Sequence, residues 1–385
     1  MTDSARRPPL AGLRIIELAG IGPGPFAGMM LADLGAEVIT VDRLGGNPSA
    51  TIGHSILFRS RRSVTIDLKS PQGVEALLRL CERSDALMEG FRPGVAERLG
   101  IGPDECMARN PALVYGRITG WGQEGPLARM AGHDLNYIAL TGALHAIGRE
   151  GQTPTVPLNL IGDFGGGGML LAFGVLAGVL SARADGRGTV IDAAMIDGAS
   201  ALMAMFHGLR SEGLFDDERG THTLDGGAHF YDVYETADGR FVSIGALEPQ
   251  FYVQLCDLLD LDDEVRNAQY DLVRWPEFSK RVAAAVQQRT RDELDALFAG
   301  SDACYAPVLA MDELARHPHH AARSTFVVDG NDLQPAPAPR FDGQPPTVPT
   351  PRPASGIHTI EVLRECGFTD AEIATMSDNG VIDAV

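Results

Sequence analysis

A chain of 385 residues is longer than one hydrophobic core ordinarily supports, so two domains are the natural expectation. Its 44% hydrophobic and 22% charged residues describe a folded globular protein rather than a disordered one. A formal net charge of −19 repels polyanions, so neither nucleic acid nor an anionic membrane is expected as a partner.

The first segment reads as strand Arg14–Leu18, a turn Gly20-Ile21-Gly22-Pro23-Gly24-Pro25, helix Phe26–Leu34 and strand Val38–Val41. This is one βαβ unit. The pattern continues with strand Ser63–Leu68, helix Gln72–Arg83, strand Ala86–Met88, a helix over Pro103–Arg109 and strand Leu113–Ile118. Apolar helical stretches follow at Leu135–Ile147 and Phe164–Arg183, then strand Thr189–Ala193 and a long helix, Asp197–Leu209. Such alternation implies an α/β fold with a large open, Rossmann-like sheet. The most apolar run, Met169 to Ala182, is broken by Gly174 and Gly178 and reads as a buried helix rather than a membrane span. The N-terminus has no apolar segment behind its basic residues, so no secretory leader is expected.

Composition changes after a polar, glycine-rich linker at 211–227. Runs at Phe230–Thr236 and Arg240–Gly245 flank Asp238-Gly239, a hairpin signal. Helices are expected at Pro249–Leu259 and Pro276–Gln288, with a third opened by the capping box Thr290-Arg291-Asp292-Glu293. The domain plan is therefore a large domain beginning with 1–210, a linker at 211–227 and a small α+β domain at 228–320. A proline-rich, extended return linker spans 321–355, and 356–385 completes the large domain with a helix over Ile357–Cys366 and a capped helix after Thr369. The five cysteines, Cys81, Cys106, Cys256, Cys304 and Cys366, form no CxxC pair and no metal-ligand spacing. A reduced, cytoplasmic setting and no metal are expected.

Gly22-Pro23-Gly24-Pro25-Phe26-Ala27 satisfies the dinucleotide pattern GxGxxA, with Asp42 ending the next strand. That fingerprint works through backbone N–H groups at the helix start. Pro23 and Pro25 have none, which argues for a rigid strand-to-helix turn instead.

Several stretches taken together are more specific. They are Leu18 to Pro25, Val41-Asp42-Arg43, Thr65 to Lys69, Glu89 to Gly94, Thr119 to Gln123, Ala131 to Tyr137, Pro157 to Phe164, Leu224 to Ala228 and Gly245 to Tyr252. From about Leu10 onward the chain resembles the family III CoA-transferases. The Gly132-His133-Asp134 and Ala246-Leu247-Glu248-Pro249-Gln250 motifs are similar to the α-methylacyl-CoA racemase branch. The resemblance implies an interlocked homodimer, with each site between the large domain of one subunit and the small domain of the other. It implies an acyl-CoA substrate branched at C2 and epimerised there without a cofactor, coenzyme A being part of the substrate. It also implies His133 and Asp163 as acid/base residues, with Glu248 orienting His133 across the interface. Substrate contacts are implied at Arg43, Ile66, Asp67, Leu68, Lys69, Arg92, Gly132, Asp134, Asn136 and Tyr137.

The chemistry suits those residue types. Inverting a carbon acid takes one group on each face. An imidazole titrates near pH 6.5, close to neutral, in its unperturbed state. A carboxyl needs burial to raise its pKa into a useful range, and Phe164 and Met169 are placed to provide it. N–H groups at the start of the Gly165–Gly168 run are candidate donors to an enolate oxygen. Arg43, Arg59, Arg61, Arg62, Lys69 and Arg92 are candidates for the three phosphates of coenzyme A, with a solvated loop the competing reading for Arg61-Arg62. The same Asp163 would instead be the nucleophile in a CoA-transferase.

Overall fold

The computed structural model describes residues 7–46, 55–330, 332–343 and 348–383. The chain divides into two units: residues 1–141, 158–202 and 321–385 in the larger, and 142–157 with 203–320 in the smaller.

The larger unit is built on six strands: β1 (Arg14–Leu18), β2 (Glu37–Asp42), β3 (Arg62–Thr65), β4 (Ala86–Glu89), β5 (Val114–Thr119) and β6 (Val190–Ala194). They run in the order β3-β2-β1-β4-β5-β6, and every pairing is parallel. This is the doubly wound order, whose direction reverses between β1 and β4. Strand alternation sends successive side chains to opposite faces. Ile16, Leu18, Ile39, Val41, Leu87 and Tyr115 enter one core, while Ile15, Val38, Met88, Val114 and Ile118 enter the other. Helix α1 (Pro23–Asp33) starts three residues before the expected Phe26, because proline suits a first turn whose N–H groups are unpaired in any case. On the other face α2 (Pro71–Cys81) and α3 (Pro103–Arg109) contribute Leu77, Leu80 and Cys106.

Two long helices expected from the sequence are broken. The Leu135–Ile147 stretch folds as α4 (Asp134–Ala139) and a separate turn, Ala143–Ala146, the break falling at Gly142 with φ 81°. Asp197–Leu209 becomes α6 (Met195–Leu202) and a second helix, Ala204–Ser211. Between α4 and α6, helix α5 (Leu170–Asp185) is preceded without interruption by a π-helical stretch, Leu160–Met169. Together they form 26 residues that by length and composition could cross a membrane. The apolar run is longer than expected because Leu160–Gly168 joins it. Leu171, Val175 and Val179 pack it into the sheet core.

In the smaller unit β7 (Tyr231–Glu235), β8 (Phe241–Gly245) and β9 (Tyr305–Val308) form an antiparallel sheet, with Gly239 at φ 72° in the β7–β8 turn. Helices α7 (Pro249–Leu258), α8 (Trp275–Val286) and α9 (Arg291–Phe298) cover it, and Thr290 and Glu293 form the expected capping box. The polar segment at 211–227 is ordered by its own chemistry. The Asp225 carboxylate accepts the N–H groups of Gly220, His222 and Gly227, and Phe215 packs against Phe206.

The return segment is more structured than an extended linker. β10 (Phe326–Asp329) and β11 (Asp332–Pro335) pair antiparallel within the larger unit. Helices α10 (Thr359–Glu365) and α11 (Asp370–Asp378) then bury Val362, Leu363, Ile373 and Met376 in the same core as α2.

Candidate active site

Where the strand order reverses, the chain leaves β1 and β4 in opposite directions and opens a crevice at their carboxyl ends. A cavity of about 820 Å³ lies there in the larger unit. Its walls are the Gly20–Pro25 turn, Arg43 after β2, Glu89 to Pro93 after β4, Thr119 to Trp121 after β5, and the segment Ala128 to His133. Tyr137, Asn159, Asp163, Phe164 and Met195 also line it. His133 and Asp163 therefore face one chamber.

His133 is the residue before α4, in extended conformation, and Asn136 Oδ1 accepts its N–H at 3.1 Å. Asn136, expected to meet substrate, thus spends its acceptor on the histidine backbone. Tyr137 donates its hydroxyl to the Gly132 carbonyl and sets its ring edge-on to Trp121, with centroids 4.8 Å apart. A Cβ at Gly132 would lie 2.8 Å from the Tyr137 ring, so only glycine passes between the two aromatics.

Asp163 stands in the first turns of the π-helical stretch. Asn159 Nδ2 donates to its Oδ2 at 3.0 Å. A Cβ at Gly22 would sit 3.2 Å from the same oxygen, so the glycine turn is what lets the carboxyl approach α1. Burial pushes the Asp163 carboxyl above the usual range; Asn159 opposes this, the Asp134 charge adds to it and His133 draws it back. Phe164, the residue after Asp163, packs its ring on Phe26 with centroids 4.8 Å apart.

Glycines 165–168 belong to the interior of this stretch rather than its start, and a Cβ at Gly166 or Gly168 would strike neighbouring backbone. Their role is close packing, and the expectation that they supply free N–H donors is overturned. Unpaired donors belong to helix first turns. One such turn is that of α4, whose first residues, Asp134 and Leu135, directly follow His133.

The remaining candidates separate cleanly. Arg43 and Arg92 line the cavity and are exposed. Ile66, Asp67, Leu68 and Lys69 follow β3 and do not line it: Ile66 is in the core, Leu68 packs against it, Asp67 accepts the Lys69 N–H, and the Lys69 side chain is exposed. Asp134 is buried at 5% exposure and does not line the cavity either, its carboxylate turning to the Asp163 backbone instead. Glu248 belongs to the smaller unit, exposed at the N-cap of α7. Arg59, Arg61 and Arg62 do not line the cavity and do not form a solvated loop: they pair with Asp33, Glu17, and Glu37 with Glu365.

Two cavity carboxylates had no role assigned from sequence. Glu17 is the penultimate residue of β1 and Glu89 ends β4. Burial pushes the Glu89 carboxyl up to about 7, although it accepts the Phe91 N–H at 2.6 Å and sits 3.2 Å from Arg117. The available signal was a lone carboxylate closing an otherwise apolar strand before a glycine, Ala86-Leu87-Met88-Glu89-Gly90. Among the described residues no group of three or more His, Cys, Asp or Glu side chains is placed to hold a metal ion.

Comparison with known proteins places this architecture. The α-methylacyl-CoA racemase of Mus musculus is 44% identical over 378 residues, covering 97% of this chain and 98% of its own. That of Homo sapiens is 42% identical with the same coverage. The crystal structure of Rv3272 from M. tuberculosis in an orthorhombic form superposes with a TM-score of 0.77 at 28% identity, over 91% of this chain and 98% of that one. The sequence profile of CoA-transferase family III matches residues 10–359, which include every strand of the doubly wound sheet and every residue of the cavity, and the chain belongs to that family.

Proposed function

We propose that the protein epimerises 2-methyl-branched acyl-CoA thioesters at C2, by removing the proton on one face and returning one on the other through a thioester enolate. The observation that carries this is the pairing of an imidazole, His133, and a carboxyl raised by burial, Asp163, on the wall of one cavity in a chain 44% identical to a protein named as such a racemase. In one direction Asp163 accepts the C2 proton while His133 delivers one to the opposite face; in the other the roles exchange. The first-turn N–H groups of α4 are the donors best placed to steady the enolate oxygen, since they adjoin His133. No electrons are gained or lost, so the reaction needs no redox cofactor, and coenzyme A enters only as part of the substrate.

Arg43 and Arg92 hold coenzyme A phosphates, as guanidinium forks suit them and both side chains are exposed on the cavity wall. The strand order puts the carboxyl ends of β3, β2, β1 and β4 side by side. A coenzyme lying along that edge passes 66–69, then Arg43, then the glycine turn, and brings its thioester to His133 and Asp163. The functional unit is an interlocked homodimer in which Glu248 of a second copy orients His133. Support comes from α5, where Phe173 and Leu180 are 71% and 72% exposed on one apolar helix. The scattered, unpaired cysteines fit a cytoplasmic enzyme.

The test is incubation with a 2-methylacyl-CoA in deuterated water with no acceptor acid present. Deuterium at C2, abolished by His133→Ala and by Asp163→Asn, is the expected result. Coenzyme A transfer to an added carboxylic acid, without label at C2, would overturn the proposal in favour of a transferase that uses Asp163 as nucleophile.

A further inference from the structure

Two carboxylates meet at the base of the site, and only one faces the cavity. Asp134 Oδ2 accepts the backbone N–H of Asp163 at 2.6 Å. Its other oxygen, Oδ1, is buried with no hydrogen-bond partner. A Cβ at Gly162 would lie 2.7 Å from Oδ2, so the glycine before Asp163 is what lets the carboxylate reach that amide.

We infer that Asp134 is a positioning residue for Asp163: its carboxylate anchors the Asp163 backbone and holds a fixed negative charge beside the Asp163 carboxyl. The inference rests on the proposed two-base reaction and assigns Asp134 a part in it other than touching substrate. Asp134 is the first residue of α4, at the partly positive end of that helix, and its carboxylate takes the Asp163 N–H as a donor. A carboxylate so held has little solvent around it to screen its field. The two acids thus divide the work: the charge of Asp134 drives Asp163 toward the neutral form it needs as a proton donor.

The groups around Asp163 are consistent with this. From its own segment Asn159 donates to it. From α4 come Asp134 and the phenol of Tyr137, which is itself pushed up by burial and then by the Asp163 charge. His133, at the end of that helix, attracts the carboxylate. The α1 side presents Gly22, Pro23 and Phe26, which carry no charge. Helix α6 packs through Gly198 and Ala199, and its one acid, Asp197, is exposed. Among these neighbours Asp134 supplies the negative charge that acts on Asp163.

The experiment is the rate of deuterium exchange at C2 of a 2-methylacyl-CoA against pH, for the full-length wild type, Asp134→Asn and Asp163→Asn. Asparagine keeps an oxygen to accept the Asp163 N–H but removes the charge. Its acid limb, in the direction where Asp163 takes the proton, moves to lower pH while KM stays within about twofold. An acid limb superimposable on that of the wild type overturns the inference. Asp163→Asn separates this from the underlying reading: exchange at the wild-type rate in that variant removes the role of Asp163 itself. If Asp134→Asn does not fold, Asp134→Glu keeps the charge at the wrong reach. It then lowers kcat about tenfold or more with the acid limb in place, and a limb that falls with kcat overturns the inference.

Discussion

The Glu17 carboxylate and the Arg61 guanidinium form an ion pair with both side chains 1% exposed, at the carboxyl end of β1 under the cavity. Arg61 also donates to the carbonyls of Pro25 and Leu57 and lies over the Phe58 ring at 4.8 Å. Any side chain at Gly28 would meet both partners, so α1 can lie over the pair only with glycine there. Burial opposes both charges, pushing Glu17 up and Arg61 down. Removing one partner of such a pair strands the other, at a cost of about 3–5 kcal/mol. Arg61→Met is therefore expected to lower the urea unfolding free energy by that order. Glu17→Met added to it recovers only part, because the Pro25 and Leu57 carbonyls remain unpaired. Full recovery would mean that the two carbonyl contacts contribute nothing.

Asn159 acts on Asp163 with the opposite sign to Asp134. Its amide donates to Oδ2 and favours the charged carboxyl. Asn159→Ala removes that donor, so the Asp163 carboxyl rises further and the acid limb of the exchange profile moves to higher pH. In the same assay Asp134→Asn moves it lower. Limbs that shift the same way in both variants would show that the two side chains act through position alone.

Local chemistry made much of the fold legible. The capping boxes at Thr290 and Thr369, the Asp238-Gly239 turn and the apolar strands that became β1, β2 and β4 are each decided by residues close in sequence. What stayed hidden was decided at long range. Arg59, Arg61 and Arg62 look alike in sequence, yet their partners Asp33, Glu17 and Glu37 lie at least 25 positions away. The same holds for Asp134. Beside His133 it reads as part of a binding motif, and only folding brings it to an amide 29 positions on. The site's two acid/base candidates were legible from the family resemblance; the βαβ alternation implied the open sheet, while the strand order that opens their shared cavity emerged only in the fold.

Helix α6 and the π-helical stretch cross at backbone contact. A Cβ at Gly198 would strike the Gly166 carbonyl, and one at Gly166 would lie 2.5 Å from the Ala199 nitrogen. Gly166 is within one turn of Asp163, so separating the helices displaces the carboxyl. Gly198→Ala is expected to cost about 1–3 kcal/mol of stability. Misplacement by about 1 Å is worth roughly 100-fold in rate. The expected signature is a large fall in kcat for exchange with coenzyme A binding nearly unchanged, measured by isothermal titration beside the kinetic assay. Unaltered kcat would mean that the crossing does not govern where Asp163 sits.

His229 in the smaller unit predicts a pH response of stability whose sign follows from one hydroxyl. The Tyr252 hydroxyl donates its proton to the Val265 carbonyl at 2.7 Å, so it can only accept from His229 Nε2, also at 2.7 Å. The proton of the neutral ring is then on Nε2, and Nδ1 is left buried without a partner. A second proton would place a charge in a fully buried site among Phe230, Tyr252 and Phe278, and burial pushes the imidazole down to about 4. The unfolded chain takes that proton near pH 6.5 and the folded one does not. Stability from this residue is therefore complete above about 6.5 and is lost as pH falls through about 4, with a total on the order of 3 kcal/mol. Urea midpoints for the wild type and for His229→Phe, compared at pH 7 and pH 4.5, isolate the effect. The variant pays for its lost hydrogen bond at both pH values, so the gap between the two proteins narrows toward acid. A gap that widened instead would place the proton on Nδ1 in the folded state and reverse the assignment.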